Sequence, residues 1–279
     1  MENGSGMSID ALKDEIRRRG PWHYDVEIAP GVRTGAAEFS EGHAPELGRP
    51  SITDPFRDMQ MLAEDLWPRG FDNRSFLDCA CNAGGHSFAA KALGAGRVFG
   101  FDVREHWIEQ ARFLARHLPS EDVRFEVMEL AALKTAEEFD VTLFRGIFYH
   151  LPDPMAGLKL AADRTKELLI VNTSGKPRPE PGLMLSMEDD VHVMSGVDRL
   201  AWLPTGPETV QAVLAWCGFP HSRVRLNWPT SNGWSRMEVL GARNASTFDH
   251  FDAKEHKISK HRGPLRPQLL NRLRRALRI

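Results

Sequence analysis

The chain has 279 residues, of which 42% are hydrophobic and 27% charged, the ordinary range for a globular domain with appendages. Its longest apolar runs, such as Val141 to Phe144 and Leu168 to Val171, fall far short of the roughly 20 residues that a membrane span needs, so no span is expected. The formal net charge of −2 hides an asymmetry: Lys254 to Ile279 holds nine Lys or Arg against one acid, leaving 27 basic and 37 acidic groups in the rest.

The polar stretch before Met7 lacks the apolar segment of a secretory signal. Cys79, Cys81 and Cys217 form no CxxC pair, and a reducing cytoplasm is the expected compartment. Ile9, Leu12 and Ile16 have helical spacing, stopped by Gly20-Pro21. Trp22 to Thr34 reads as two extended pieces around Pro30-Gly31, followed by a Gly-, Glu- and Pro-rich loop that is a candidate lid. Asp54 then caps a helix with Pro55 at its first position, running to about Leu66.

From Ser75 short apolar strands alternate with helices, the signature of parallel βαβ units. The predicted strands are Phe76 to Ala80, Arg97 to Asp102, Val123 to Met128, Val141 to Phe144 and Glu167 to Asn172, with helices near Ser87 to Leu93, Trp107 to Leu118 and Met155 to Ala162. An insertion rich in Pro, Met and acids covers Thr173 to Val197. A helix from Pro207 to Trp216 follows and ends at Cys217-Gly218. Val224 to Leu226 and Met237 to Ala242 complete an α/β fold: a Rossmann-like, seven-stranded, mostly parallel sheet with helices on both faces. The expected division is an N-terminal cap or lid at 1–69, a core domain at 70–243 and a basic tail at 244–279.

The chemistry is concentrated after the first strands. Asp78, Ala80, Asn82 and Gly84 lie in a loop that opens a helix, where small residues let backbone N–H groups approach a ligand at the sheet's carboxyl edge. Two glycines in such a turn are weak evidence alone. Asp102 closes the second strand near the spacing at which an acid grips ribose hydroxyls, and the combination outweighs an ordinary tight turn. Glu129-Leu130 ends the third strand where a carboxylate could accept an adenine amino group. After the fourth strand, the backbone carbonyl of Arg145 would face the ligand's far end.

Phe76-Leu77-Asp78-Cys79-Ala80-Cys81-Asn82-Ala83-Gly84, Gly100-Phe101-Asp102-Val103-Arg104 and Phe139-Asp140-Val141-Thr142-Leu143-Phe144-Arg145-Gly146 resemble successive motifs of class I S-adenosylmethionine-dependent methyltransferases. The resemblance implies S-adenosylmethionine as cofactor and S-adenosylhomocysteine as product, with the loop from Asp78 to Gly84 around the methionine moiety and Asp102-Val103 at the ribose end. Ala80 departs from the family, which usually has Gly there. Tyr149-His150-Leu151-Pro152-Asp153-Pro154, Trp202-Leu203-Pro204-Thr205 and Trp216-Cys217-Gly218-Phe219 are similar to the branch that contains wobble-uridine tRNA modification enzymes and sugar or polysaccharide O-methyltransferases. The tRNA enzymes of that branch use carboxy-S-adenosylmethionine and Lys-rich N-terminal motifs. Here no lysine occurs between Lys13 and Lys91, which favours the ordinary cofactor.

Methyl transfer to a hydroxyl needs alignment and removal of one proton. His150, four residues beyond Gly146, is the candidate general base; the bland alternative is a histidine anchoring the loop before Pro152. His23, Glu27, His43, Asn172 and Thr173 are further polar candidates. Trp22, Trp202 and Trp234, with His23, are the expected acceptor contacts, whereas Trp216 reads as core. Glu188, Asp189, Asp190 and His192 resemble a metal cluster, but consecutive acids cannot all face one point on a strand, so a solvated acidic loop is the expected reading and no metal is assigned. The acidic body suits a small-molecule or glycan acceptor, and the basic tail keeps tRNA as the alternative and a homo-oligomer contact as another use.

Overall fold

The computed structural model describes residues 8–35, 54–187, 199–230 and 233–258. Helix α1 (Ile9–Arg18) starts where the Ser8 hydroxyl accepts the Ala11 N–H at 3.2 Å, and its Leu12 and Ile16 are buried. The short hairpin β1 (Glu27–Ala29) and β2 (Val32–Arg33) turns at Pro30-Gly31. Helix α2 (Pro55–Leu66) is capped by Asp54, whose carboxylate accepts the N–H groups of Phe56 and Arg57.

The central sheet has seven strands in the order β10-β11-β7-β6-β3-β4-β5. In chain order these are β3 (Phe76–Cys79), β4 (Val98–Asp102), β5 (Val123–Val127), β6 (Phe139–Arg145), β7 (Thr165–Gly175), β10 (His221–Pro229) and β11 (Ser235–Ala242). β11 runs antiparallel to both its neighbours, and the other adjacent pairs are parallel. Alternation along the strands feeds two cores. Leu77, Leu169 and Val171 pack with α5 (Pro154–Asp163) and α6 (Pro207–Trp216), whereas Phe76, Leu168 and Ile170 pack with α2 and α3 (Gly85–Ala92). A third cluster joins α1, the chain after it and α4 (Glu105–Ala115) to Ala83, Phe88 and Phe125.

Several expectations are corrected. Trp22 is no surface contact: it is 4% exposed, and its Nε1–H donates to the Ile16 carbonyl at 2.8 Å, which fixes it inside the N-terminal core. Trp216 is not core but 58% exposed, because Val213 and Leu214 fill the inward face of α6. The stretch expected as an insertion is partly sheet: β7 continues to Gly175, and β8 (Leu183–Met187) pairs antiparallel with β9 (Leu200–Pro204). The chain after Ala242 does not leave the domain at once. Helix α7 (Asp249–Ile258) follows, and Phe248 and Phe251 are buried in the same cluster as Met59 and Leu62 of α2. His43, the acids at 188–190, His192 and most of the basic tail lie outside the described residues.

Candidate functional site

The strand order reverses around β3, the point where open α/β sheets form a crevice at their carboxyl edge. The loop leaving β3 is wound tightly, with Ala80, Asn82 and Gly84 all left-handed at φ 56°, 54° and 79°. Two glycines are set by close approach. A Cβ on Gly84 would lie 2.6 Å from the Phe125 ring, and one on Gly85 would lie 2.7 Å from Tyr24 and 2.8 Å from Pro55. Tyr24, from the N-terminal segment, is thereby laid across the start of α3. Ala80 keeps a methyl group in a conformation that glycine adopts freely.

Asp78 is buried and accepts the Ser87 hydroxyl at 2.7 Å; burial nevertheless pushes its carboxyl up to about 7. Asp102 is also shut from solvent. Its Oδ2 accepts the Asn82 N–H at 3.1 Å, its Oδ1 accepts the Arg104 N–H at 3.0 Å, and the Arg104 guanidinium binds both oxygens at 2.9 Å. Next to it Val103 is 62% exposed. His23 packs edge-on to Tyr24 and Trp107; burial, reinforced by Arg104, lowers its pKa to about 4 against the pull of Asp102. Glu129 is exposed at the end of β5, with Leu130 half-buried behind it. The Met128 N–H donates to the Asp102 carbonyl at 3.0 Å, tying that end to β4.

On the other side of the crevice the side chain of Arg145, rather than its carbonyl, dominates. Its guanidinium donates to Asp58 of α2 at 2.9 Å and approaches Glu238 of β11 at 3.5 Å. Glu238 also accepts from Arg225 at 2.6 Å and from the Asn172 amide at 2.8 Å, and Arg225 reaches Asp65 of α2 at 2.9 Å. Arg236 donates to Asn172 at 2.7 Å and to the Ser174 hydroxyl at 3.2 Å, with its Nη2 over Gly146. His86, in the first turn of α3, is held well below the usual histidine range by burial first and then by the nearby charges of Arg145 and Arg236. Its Nε2 is buried without a hydrogen-bond partner, a cost of about 1–3 kcal/mol that a bound polar group would remove.

His150 sits half-buried in a 3-10 turn (Phe148–His150), its ring 4.0 Å from that of Tyr149. β9 brings Trp202 beside this turn, where its Nε1–H donates to the Pro152 carbonyl at 3.1 Å. Trp234 is half-buried at the β10–β11 turn, its carbonyl accepting the Thr230 N–H at 2.9 Å. Sequence reasoning missed Tyr24, Asp58, His86, Arg225, Arg236 and Glu238. One signal was present: Arg236 and Glu238 put two charges on the same face of an otherwise apolar strand. Among the described residues no His, Cys, Asp and Glu group could hold a metal ion.

Residues 71–182 match the family model described as a methyltransferase domain. The chain carries a methyltransferase domain. A solved structure of the N-terminal domain of EvdMO1 in the presence of SAH and D-fucose is 18% identical, with a TM-score of 0.68 over 87% of this chain and 100% of that one. The methyltransferase domain therefore has the class I S-adenosylmethionine-dependent methyltransferase fold. The tRNA U34 carboxymethyltransferase of Alteromonas mediterranea is 25% identical over 180 residues, covering 60% of this chain and 53% of that protein. The enzyme of the same name from Campylobacter hominis is 31% identical over 110 residues, covering 39% of this chain and 34% of that protein. The chain thus spans about half or less of these two curated relatives.

Proposed function

We propose that this protein is an S-adenosylmethionine-dependent O-methyltransferase that methylates a hydroxyl of a sugar, in a glycan or a glycosylated metabolite. The observation that carries the cofactor reading is the end of β4, where the acid Asp102 stands beside the 62% exposed Val103, next to the loop whose Gly84 and Gly85 admit no Cβ. Those residues fit the group: an acid for ribose hydroxyls, an apolar side chain for the adenine, and a tight loop for the methionine end. When bound, the cofactor supplies an activated methyl group. The chain's own task is to orient the acceptor and take up a proton, and His150 is the proposed base, with His23, Trp202 and Trp234 as acceptor contacts.

Two features support a neutral acceptor. The first 253 residues carry ten more acids than bases, and the N-terminal segment that crosses the site has no lysine after Lys13. The similar structure in the presence of D-fucose accords with a sugar. A second reading, modification of tRNA, is favoured by the names of the curated relatives and by the basic residues after Lys254. The three buried, free cysteines accord with a reducing cytoplasm.

The test is transfer of a radiolabelled methyl group to separated carbohydrate and RNA fractions. Label in carbohydrate supports the first reading and label in tRNA alone supports the second. On the labelled fraction, His150→Ala is expected to lose about 10²-fold in turnover with unchanged S-adenosylhomocysteine affinity. Full turnover in that variant reduces His150 to a loop anchor.

A further inference from the structure

Asp102 has no spare capacity in this structure. A carboxylate offers about four lone-pair sites, and four donors converge on this one: the Asn82 N–H, the Arg104 N–H, and Nε and Nη2 of Arg104. The two backbone donors belong to the loop and to the start of α4, so they stay wherever the fold stays. The two guanidinium donors sit on a side chain that is 33% exposed, whereas that of Asp102 is 0% exposed.

Local rules do not explain an arginine here. Arg104 is the N-cap of α4, a position that favours Ser, Thr, Asp or Asn, and its side chain makes no cap hydrogen bond. It also puts a cation at the positive end of the helix dipole. A residue that breaks two local preferences and spans a buried acid at the sheet's carboxyl edge is a candidate for a role in ligand binding. Trp107, whose ring centroid lies 5.9 Å from the guanidinium carbon, offers a neighbouring aromatic face.

We infer that Arg104 sets the protein's affinity for its nucleoside cofactor by competing with the ribose hydroxyls for Asp102. The inference rests on the S-adenosylmethionine reading given above. Without ligand, the arginine compensates the buried carboxylate of Asp102. On binding, the ribose hydroxyls take over the two positions that the guanidinium releases, so part of the gross binding energy goes into breaking a charge-assisted, bidentate pair. His23, whose charge state both Arg104 and Asp102 influence, belongs to the same corner of the site.

The test is calorimetry with S-adenosylhomocysteine on the full chain, comparing wild type, Arg104→Ala and Arg104→Lys, with melting temperatures recorded with and without ligand. Arg104→Ala is expected to bind about fivefold tighter or better, Arg104→Lys to fall between, since a lysine keeps the charge but loses the fork. Without ligand, Arg104→Ala should melt lower than wild type, and saturating ligand should raise its melting temperature by more. Opposite movements of stability and affinity are the signature of a competing contact; a merely structural arginine lowers both. If Arg104→Ala fails to fold, Arg104→Lys decides by the same criterion. Equal or weaker binding in the folded variants overturns the inference while wild-type binding preserves the cofactor reading. Absence of S-adenosylhomocysteine binding by folded wild type overturns both.

Discussion

Arg145, the last residue of β6, donates to Asp58 of α2 at 2.9 Å and so pins a helix from before the sheet to the sheet's carboxyl edge. Glu238 and Arg225 continue this connection to Asp65, and Lys254 of α7 closes it by donating to Asp65 at 2.6 Å. The wall of the crevice is therefore a chain of alternating charges between two helices and three strands. Its two central members, Glu238 and Arg225, are almost wholly buried.

Removing Glu238 takes from the buried Arg225 one of its two carboxylates and leaves it Asp65. Glu238→Ala is expected to destabilise the protein by about 3–5 kcal/mol, the scale for breaking a buried pair. Urea denaturation of the ligand-free protein measures it. A loss below 1 kcal/mol would show that Asp65 alone satisfies Arg225.

Gly85→Ala should impair the site and the fold together, because the added methyl group meets Tyr24 at 2.7 Å and Pro55 at 2.8 Å. The expected cost is about 1–3 kcal/mol, with weaker S-adenosylhomocysteine binding. Made in a Tyr24→Ala background, the same substitution is expected to cost less than in wild type, because one of the two clashes is gone. Comparison of melting curves for the single and double variants checks this.

The carboxyl of Asp78 is raised to about 7 by burial, so the folded protein holds its proton at pH values where the unfolded chain has lost it. Stability from this group is present at acid pH and is lost as pH rises through about 7. His23 acts in the opposite sense: with its pKa lowered to about 4, it favours the folded state above the usual histidine range and loses that contribution as pH falls toward 4. Asp78→Asn should accordingly gain melting temperature relative to wild type as pH increases from 5 to 8. A constant difference across that range would place Asp78 in the ordinary carboxylate range.

Salt separates the two acceptor readings. A neutral sugar acceptor predicts methyl transfer that changes little between 50 and 200 mM salt, whereas an RNA held by six or more phosphate contacts loses about 10³-fold or more in affinity. Truncation tests the basic tail, and the fold moves the cut. Ending the chain after Ala253 would sever α7 and the Lys254–Asp65 contact, so the informative truncation is after Ile258. That variant is expected to keep its transfer chemistry once its oligomeric state has been matched to wild type.

What the sequence by itself determined is everything carried by local chemistry. Short apolar runs such as Leu168 to Val171 specify strands and Ser8 and Asp54 specify helix starts, because each needs only neighbours a few residues away, and the loop from Asp78 to Gly84 with Asp102 at the end of the next strand marks the cofactor edge by its spacing. The tertiary structure alone decided which polar side chains meet. Arg145 finds Asp58 87 residues earlier and Glu238 93 residues later, and no periodicity encodes such pairings. It also decided which tryptophans are buried: Trp22 fills a core made by α1 and α4, and Trp216 is left outside one already filled by Val213 and Leu214. The missed hairpin of β8 and β9 has the same cause, since a strand whose partner lies beyond an intervening segment declares itself only when the two edges pair.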